Sequence, residues 1–253
     1  MRVAVLTGGS SGIGAAIARV LAARDWRCVL LARGEERLRA VADEIDGEWE
    51  VCDVADREAV EGVAVRVGER HPAIGLLVNS AGIPGRSSFV HSDPELIERI
   101  VRINYLGSVW STRAFLAALE AGRPSHVVNI VSVAGTVAVR AAGPYSAAKH
   151  AQLAFSRSLT LELASRQIRV HTINPGFIET EGFPQTQLAE HPVLRHTVSE
   201  PELVAVRVVA AVERGTVETF VPRWYRTAAL IQALAPGTMA RLQIARRRRR
   251  RRG

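Results

Sequence analysis

Short apolar segments rich in β-branched residues alternate with amphipathic helical segments along most of the chain. A parallel pair of strands needs a long crossover connection, usually a helix, and right-handed crossovers place these helices on both faces of the sheet. The alternation therefore predicts an α/β fold, a doubly wound parallel sheet of seven strands with helices on both faces. The predicted strands are Val3–Thr7, Cys28–Ala32, Trp49–Cys52, Leu76–Asn79, His126–Ser132, Arg169–Ile173 and Thr219–Val221.

The segments between the predicted strands show the periodicity of amphipathic helices. The predicted helices are Gly14–Arg24, Glu35–Ile45, Arg57–Arg70, Pro94–Ala121, Tyr145–Ser165 and Pro201–Val212. Neither a linker nor a repeat interrupts this pattern, so residues 1–222 are predicted to form one domain. Residues 223–245 form a predicted amphipathic helical extension that is broken at Pro236-Gly237. Residues 246–253 form a predicted disordered arginine tail, because like charges repel.

The charge and the cysteines limit the class of protein. The formal net charge is +8, but Arg246–Arg252 contribute seven positive charges, so the rest of the chain is close to neutral and indicates no nucleic-acid-binding surface. Cys28 and Cys52 lie in predicted buried strands and are expected to be reduced thiols. The chain begins directly with a strand and has no apolar run of about 18 residues, so a cytoplasmic location is expected. Its seven histidines show no metal-ligand spacing, so no metal site is predicted.

A glycine-rich loop joins the first predicted strand to the first predicted helix. Its glycines let the backbone turn tightly and approach a ligand, and the helix that follows presents free N–H groups to an anion. A strand before such a loop and a helix after it are the context in which it binds the pyrophosphate of a dinucleotide. The loop residues predicted to bind the cofactor are Thr7, Gly8, Ser10, Ser11, Gly12, Ile13 and Gly14.

The chain contains 32 arginines but a single lysine, Lys149, which follows Tyr145 by four residues. This bias suggests that the position requires a compact ammonium rather than a planar guanidinium. Residues at i and i+4 of a helix share a face, so the two side chains are predicted to lie together. A cation beside the phenol is expected to lower the pKa of Tyr145 from about 10 toward neutral pH. The tyrosine would then serve as a general acid or base.

The motifs TGxxxGxG and YxxxK, in this order, resemble those of the short-chain dehydrogenase/reductase family, and the resemblance extends over about residues 2–222. It implies a Rossmann-like dehydrogenase domain with a catalytic tetrad of Asn104, Ser132, Tyr145 and Lys149. In that tetrad, Tyr145 exchanges a proton with the substrate oxygen and Ser132 donates a hydrogen bond to the same oxygen. Lys149 lowers the pKa of Tyr145 and binds the nicotinamide ribose. Asn104 holds a water that links Lys149 to solvent.

Three further segments match the family pattern. Asp53-Val54 ends the third strand, where the family places an aspartate against adenine. Asn79-Ser80-Ala81-Gly82 resembles the NNAG element, with Ser80 in place of the second asparagine, and Asn174-Pro175-Gly176 with Thr180 resembles the PGxxxT element beside the nicotinamide. Beyond the loop, the residues predicted to contact the cofactor are Arg33, Asp53, Val54, Asn79, Ala81, Gly82, Tyr145, Lys149, Pro175, Gly176, Ile178 and Thr180.

The end of the second predicted strand indicates which nicotinamide nucleotide is bound. NAD-specific folds carry an acidic residue there for the ribose 2′-OH, whereas this chain has Ala32 followed by Arg33. A guanidinium at this point can pair with a 2′-phosphate. Arg37 and Arg39 lie nearby on a predicted helix and are expected to be solvated. The sequence favours NADP(H) over NAD(H), although Ser11 stands where some NADP-binding relatives carry a basic residue.

The predicted function is hydride transfer between NADP(H) and a hydrophobic ketone, aldehyde or secondary alcohol. Apolar side chains dominate the predicted walls of the substrate pocket, which are Ile83–Phe89, Val133–Val139 and Phe177–Val198. The last of these is a long irregular insertion expected to act as a mobile lid. A homodimer or homotetramer is expected. The alternative function is a catalytically idle dinucleotide sensor or scaffold that acts through its C-terminal extension.

The extension itself has three interpretations. Its apolar stripe consists of Trp224, Tyr225, Leu230, Ile231 and Leu234. The stripe predicts either a helix docked on the pocket or on a neighbouring subunit, or an interfacial helix whose arginines contact anionic lipid at a membrane surface. The third interpretation, contact of the arginine tail alone with nucleic acid, is disfavoured by the neutral body.

Overall fold

Seven parallel strands form the central sheet of the protein. The computed structural model describes residues 2–85, 88–138, 142–182 and 197–250, and for residues 242 and 245–250 it describes the backbone only. The strands of the sheet are β1 (Arg2–Thr7), β2 (Trp26–Ala32), β3 (Glu48–Val51), β4 (Leu76–Asn79), β5 (Ser125–Ile130), β6 (Ile168–Pro175) and β9 (Glu218–Val221). Two short strands, β7 (Phe177–Ile178) and β8 (Val198–Ser199), pair separately.

The order of strands in the sheet is β3-β2-β1-β4-β5-β6-β9. The chain moves outward from β1 through β2 and β3, and then returns to place β4 on the other side of β1. This reversal leaves a crevice at the carboxyl ends of β1 and β4, where open α/β sheets bind ligands. The predicted doubly wound sheet is confirmed, and each of its seven strands overlaps the segment predicted for it.

Helices cover both faces of the sheet. They are α1 (Gly12–Ala22), α2 (Glu35–Glu44), α3 (Arg57–Arg70), α4 (Pro94–Val101), α5 (Gly107–Ala114), α6 (Leu116–Ala121), α7 (Gly143–Glu162), α8 (Pro201–Arg214), α9 (Tyr225–Leu234) and α10 (Pro236–Arg250). Leu6 and Leu30 pack in one core with α1, α2 and α8, whereas Val5 and Leu31 pack in a second core with α3, α6 and α7. The strands are apolar almost throughout because both of their faces are buried.

The predicted helix Pro94–Ala121 is interrupted in the structure. After α4, a π-helical turn spans Arg102–Leu106, and α5 and α6 follow. Asn104 lies in this turn, and its Nδ2 donates to the carbonyl of Ile100 at 3.0 Å. That carbonyl is the acceptor that the backbone N–H of residue 104 would use in a regular α-helix. The interruption therefore coincides with a predicted catalytic residue, and π-helical turns are frequent at functional sites.

The C-terminal segment forms two helices that meet at the predicted break. α9 contacts β9, and α10 contacts α9. The backbone of α10 continues through Arg250, beyond the predicted end of the extension at residue 245, because arginine is a good helix former. Within the described ranges, no helix combines the length and the apolar character needed to cross a bilayer. The division of the chain into residues 1–222, 223–245 and 246–253 stays a prediction.

Parts of the predicted pocket walls lie outside the described residues. The insertion 177–198 begins in β7 and ends in β8, and these two strands pair in parallel. Its residues 183–196, which make up most of the predicted lid, are not described. The same is true of residues 86–87 and 139 in the other two walls.

Candidate active site and nucleotide crevice

The loop between β1 and α1 adopts a conformation that requires glycine at three positions. Gly8 and Gly12 have φ angles of +71° and +53°, in the left-handed region that other residues rarely adopt. Gly14 meets a different requirement, because a Cβ on it would overlap the carbonyl oxygen of Gly8. The first turn of α1 therefore lies directly against the end of β1, and its N-terminus opens on the crevice.

Two buried polar residues hold the ends of the strands together. Thr7 Oγ1 accepts hydrogen bonds from the backbone N–H groups of Ser80 at 3.1 Å and Ala81 at 3.2 Å. Asn79 Nδ2 donates to Thr112 Oγ1 at 3.0 Å and to a neighbouring asparagine on β5 at 2.8 Å. The sequence predicts a cofactor contact for both Thr7 and Asn79. The structure gives both of them hydrogen bonds within the protein, and neither lines the crevice.

A crevice of about 520 Å³ lies over the glycine loop. The predicted cofactor residues that line it are Gly8, Ser10, Ser11, Gly12, Ile13, Gly14, Arg33, Asp53, Val54, Ala81, Gly82 and Thr180. The predicted residues outside its lining are Thr7, Asn79, Tyr145, Lys149, Pro175, Gly176 and Ile178. Its volume is within the range of small-molecule sites, and its floor of glycine backbone allows a close approach of phosphate groups. The residues present therefore fit a bound dinucleotide.

Two arginines line the crevice near the end of β2. Arg33 Nη1 lies 3.9 Å from Asp53 Oδ2, a distance too long for a hydrogen bond. Arg37 Nη1 lies 2.9 Å from each carboxylate oxygen of Glu181. Arg37 is exposed, as predicted, but it is tied to the segment after β7, and helical position alone did not predict that contact. Arg39 forms an exposed ion pair with Asp43 within α2.

Ser132 and Tyr145 are brought together by the ends of two elements. Ser132 follows β5, and Tyr145 lies in the first turn of α7, where the two side chains form a hydrogen bond. Ser132 Oγ also accepts the backbone N–H of Ala134 at 3.1 Å and donates to the carbonyl of Pro175 at 3.5 Å. The two hydroxyl groups form a pair that can bind one substrate carbonyl oxygen.

Lys149 lies one turn after Tyr145 on the buried face of α7, with only 4 % of its surface exposed. Its Nζ is 5.8 Å from the centroid of the Tyr145 ring. The ammonium donates hydrogen bonds to the carbonyl of Ile130 at 2.9 Å and to Oε1 of Gln152 at 2.7 Å. The two side chains are neighbours, and the hydrogen bonds recorded for the ammonium go to neutral carbonyl groups.

Burial dominates the protonation of both groups. It raises the pKa of Tyr145 to about 12, against the opposing effect of the hydrogen bond with Ser132. It also lowers the pKa of Lys149 to about 7. The predicted lowering of the tyrosine pKa is therefore wrong for this arrangement, because the cost of burying the phenolate outweighs the effect of the neighbouring cation. Tyr145 keeps its proton at neutral pH.

Asn104 is fully buried beside the crevice. Its Oδ1 accepts the backbone N–H of Ile83 at 3.2 Å, and its Nδ2 donates to the Ile83 carbonyl at 3.1 Å as well as to α4. A Cβ on Gly82 would lie 2.8 Å from Asn104 Oδ1 and 4.0 Å from Lys149 Nζ. The asparagine thus anchors the segment after β4 close to the lysine. The water that the family resemblance assigns to it stays a prediction.

Two residues of the C-terminal helices contact segments beside the site. The ring of Tyr225, at the start of α9, occupies the position that a Cβ on Gly176 would take, so it packs directly on that glycine. On α10, Gln243 Nε2 donates to the carbonyl of Ala138 at 3.0 Å. Gly176 belongs to the predicted nicotinamide element, and Ala138 to the segment that follows Ser132. The extension is therefore joined to both sides of the site.

The sequence prediction assigned no individual contact to four of these residues, which are Gln152, Glu181, Tyr225 and Gln243, although it placed Tyr225 in the apolar stripe of the extension. For Gln152 a signal existed, because residues three apart on a helix share a face and Gln152 follows Lys149 by three. The other three contacts join segments that are distant in the chain, and no local spacing indicates them.

Comparison with known proteins agrees with this geometry. A family model described as short chain dehydrogenase matches residues 2–190. The 3-oxoacyl-(acyl-carrier-protein) reductase of Bos taurus is 35 % identical over 182 residues, which cover 71 % of this chain and 77 % of that protein. A solved structure of a variant of the actinorhodin polyketide ketoreductase with NADPH is 32 % identical, with a TM-score of 0.75, and the match covers 83 % of this chain and 89 % of that one. The structure of the Thermococcus sibiricus alcohol dehydrogenase complexed with 5-hydroxy-NADP is 26 % identical, with a TM-score of 0.77 and coverage of 87 % and 95 %.

Replacement of Gly14 by alanine tests the role of the loop. The added Cβ must push the first turn of α1 away from Gly8, so NADPH binding should weaken by about tenfold or more, equivalent to about 1.4 kcal/mol. Fluorescence titration measures the binding, and thermal unfolding shows whether the fold persists. Gly68→Ala in α3 is the matched control, because a Cβ there meets nothing within 4 Å. Equal NADPH affinities for the two variants would contradict the assignment of the loop.

Proposed function

The chain belongs to the short chain dehydrogenase family, and on that premise we propose that it is an NADP(H)-dependent oxidoreductase. It transfers hydride between the nicotinamide and a hydrophobic ketone, aldehyde or secondary alcohol. The observation that carries this proposal is the hydrogen-bonded pair of Ser132 and Tyr145 at the carboxyl edge of the sheet, with the single lysine, Lys149, buried one turn away. A catalytically idle dinucleotide sensor would have no use for this arrangement.

The protonation of Tyr145 favours the reducing direction. With a pKa of about 12, the phenol carries its proton at neutral pH and is ready to donate it to a carbonyl oxygen. When bound, the cofactor supplies the hydride that adds to the carbonyl carbon. Tyr145 gives its proton to the carbonyl oxygen while Ser132 donates a hydrogen bond to the same atom, so that a carbonyl becomes an alcohol. The Lys149 ammonium stabilises the phenolate that remains.

The preference for NADP(H) is proposed from the end of β2. Ala32 places no carboxylate there, and Arg33 lines the crevice with about half of its side chain exposed, at 51 %. Its long distance from Asp53 leaves its guanidinium donors available for a 2′-phosphate. The cofactors in the two related structures, NADPH and 5-hydroxy-NADP, support the same choice.

The proposed substrate surface is apolar. Val133 and Val137 follow Ser132, and Phe177 on β7 is 44 % exposed. A hydrophobic carbonyl compound suits these side chains, because its apolar part would cover surface that is otherwise in water. The names of two relatives, a 3-oxoacyl reductase and a polyketide ketoreductase, support a ketone as the reacting group.

We propose that the C-terminal helices form part of the substrate side of the protein. Tyr225 packs on Gly176 and Gln243 bonds to Ala138, so α9 and α10 contact both segments that flank the site. Contact with an anionic membrane or a neighbouring copy is the alternative for the apolar residues that α9 leaves exposed, Leu230, Ile231 and Leu234. The homodimer or homotetramer and the cytoplasmic location stay predictions.

Tyr145→Phe tests the mechanism. The variant keeps the ring but loses the proton that is transferred in the transition state, so turnover with NADPH should fall by about 10² or more while NADPH still binds. Steady-state kinetics on a panel of hydrophobic ketones and aldehydes measures the effect. Tyr105→Phe is the control, since it also removes one phenol hydroxyl and that ring packs edge-on against Phe155. Near-normal turnover of Tyr145→Phe would refute the proposed mechanism.

Arg33→Ala tests the cofactor preference. The loss of a charge-assisted hydrogen bond to the 2′-phosphate should weaken NADPH binding by roughly 1.5–3 kcal/mol and leave NADH binding almost unchanged. Binding titrations with both cofactors measure the difference. Arg39→Ala, on the same stretch of chain but paired with Asp43 within α2, should affect neither cofactor. Equal losses for NADPH and NADH in Arg33→Ala would count against NADP(H).

Two truncations test the C-terminal helices. Deletion of residues 246–253 should preserve unfolding temperature and turnover, because it leaves Tyr225 and Gln243 in place. Deletion from residue 224 onward uncovers Gly176 and should raise the KM for a hydrophobic ketone by about tenfold, or about 1.4 kcal/mol. Identical kinetics for both truncations would show that the helices do not contribute to the site.

Vesicle sedimentation tests whether the C-terminal extension contacts a membrane. If the extension is a membrane anchor, the full chain will co-sediment with anionic vesicles at low salt and dissociate at high salt, because attraction between arginine and lipid is screened by ions. We expect no co-sedimentation. Salt-sensitive binding that disappears in the truncation at residue 246 would instead support the membrane alternative.

A further inference from the structure

The ammonium of Lys149 is held by two neutral acceptors. One is the backbone carbonyl of Ile130, and the other is the side-chain oxygen of Gln152, at 2.7 Å from Nζ. Lys149 takes part in no ion pair among the described residues. Among the described residues the ammonium therefore has two hydrogen-bond acceptors, and of these only the Gln152 amide belongs to a side chain.

The orientation of the Gln152 amide is determined by its partners. An ammonium only donates hydrogen bonds, so the amide oxygen must face Lys149. The amide nitrogen then faces Ser108 on α5, to which it donates at 2.8 Å. Both Gln152 and Ser108 are buried, at 0 % and 4 % exposure. Because both ends are occupied, the amide has no freedom to turn its nitrogen toward the ammonium.

Among the described residues, the charged side chains of the elements that pack against α7 form no ion pair with the Lys149 ammonium. On its own helix the titratable neighbours are Tyr145 and His150, and His150 is exposed, with its Nδ1 at 2.7 Å from the carbonyl of Ser146. The charged side chains of α4 and of the π-helical turn are exposed, namely Glu95, Glu98, Arg99 and Arg102. Tyr105 packs on Phe155, and the histidine of β6, His171, contacts His126 and the carbonyl of Thr216. The remaining ionic groups near α7 are engaged elsewhere or exposed, namely Arg157, Arg166 and Arg169.

We propose that Gln152 is a positioning residue that holds the Lys149 ammonium in place beside Tyr145 and keeps it charged in spite of its burial. The proposal rests on the function proposed above only for its effect on turnover. Its physical basis is independent of that function, because a hydrogen-bond acceptor at an ammonium favours the charged form whatever reaction follows.

The composition of the chain allows a direct measurement. Lys149 is the only lysine, so protein grown with lysine labelled with carbon-13 at the ε-carbon gives one lysine signal in an NMR spectrum. Its titration reports the pKa of Lys149 without any assignment and without any enzymatic activity. In the wild-type protein the midpoint should lie near the value of about 7 that burial gives this group.

Two substitutions at one position change the midpoint in opposite directions. Gln152→Met keeps the length of the side chain but removes the acceptor, so the charged form is destabilised and the midpoint should fall by about one pH unit. Gln152→Glu keeps an acceptor and adds a negative charge, so the midpoint should rise. Ser156→Ala is the matched control, because Ser156 is equally buried on α7 but bonds Asn129 and Thr172. Its lysine midpoint should equal that of the wild type.

The pH dependence of turnover gives the second measurement. If the charged lysine supports catalysis, kcat/KM is highest below the lysine pKa and falls as the pH rises through that pKa. Gln152→Met should then lose activity at a lower pH than the wild type, and Gln152→Glu at a higher pH. A structural defect alone would instead lower kcat/KM at every pH, as we expect for Ser156→Ala if it has any effect.

The outcomes separate this inference from the proposed function. A lysine midpoint that is the same in the wild type, Gln152→Met and Gln152→Glu overturns the role of Gln152, whatever the activity. If Gln152→Met does not fold, the comparison of Gln152→Glu with the wild type decides by itself, since a carboxylate in contact with the ammonium must raise its pKa. If the wild type reduces no ketone or aldehyde with NADPH, the proposed function fails, but the titration still tests Gln152.

Discussion

The hydroxyl of Thr7 joins the two strands at which the order of the sheet reverses. It accepts hydrogen bonds from the backbone of Ser80 and Ala81 after β4, the first of them 73 residues away in the chain, and it donates to the Val78 carbonyl at 3.4 Å. β1 and β4 therefore end together, and the crevice opens over both. The glycine loop depends on the same contact, since a Cβ on Gly8 would lie 2.9 Å from the Ala81 backbone. The ends of β1 and β4 thus form the floor of the cofactor crevice together.

Next to this crevice, the candidate catalytic groups are organised around a buried ammonium. Burial of an ammonium is costly unless hydrogen bonds replace its hydration, and the carbonyls of Ile130 and Gln152 do so for Lys149. The same burial keeps the proton on Tyr145, with its pKa at about 12. A protonated phenol beside a partly charged lysine is suited to giving up its proton to a carbonyl, because the ammonium stabilises the phenolate as it forms.

The fold and the glycine loop could be predicted because their causes are local. The contacts and the protonation of the candidate catalytic side chains could not be predicted. Each strand of the sheet is apolar on both faces, and the alternation with helices follows from the crossover connections. The helical segment Pro94–Ala121 was predicted with its outer bounds, but its interruption was not, because the contacts of Asn104 with the backbone of Ile83 join segments that are distant in the chain. The expected sign of the Tyr145 pKa change was wrong because burial, which helical spacing does not report, outweighs the neighbouring cation.

By itself, the sequence determined the order of strands and helices, the glycine loop and the placement of Tyr145 and Lys149 on one turn of a helix. Hydrophobic period, glycine geometry and helical spacing act over a few residues, so they can be read along the chain. Only the tertiary structure decided which acceptors the lysine meets, that Arg37 pairs with Glu181, and that Tyr225 packs on Gly176. These contacts depend on which surfaces the folded sheet brings together, and on how much water it excludes from them.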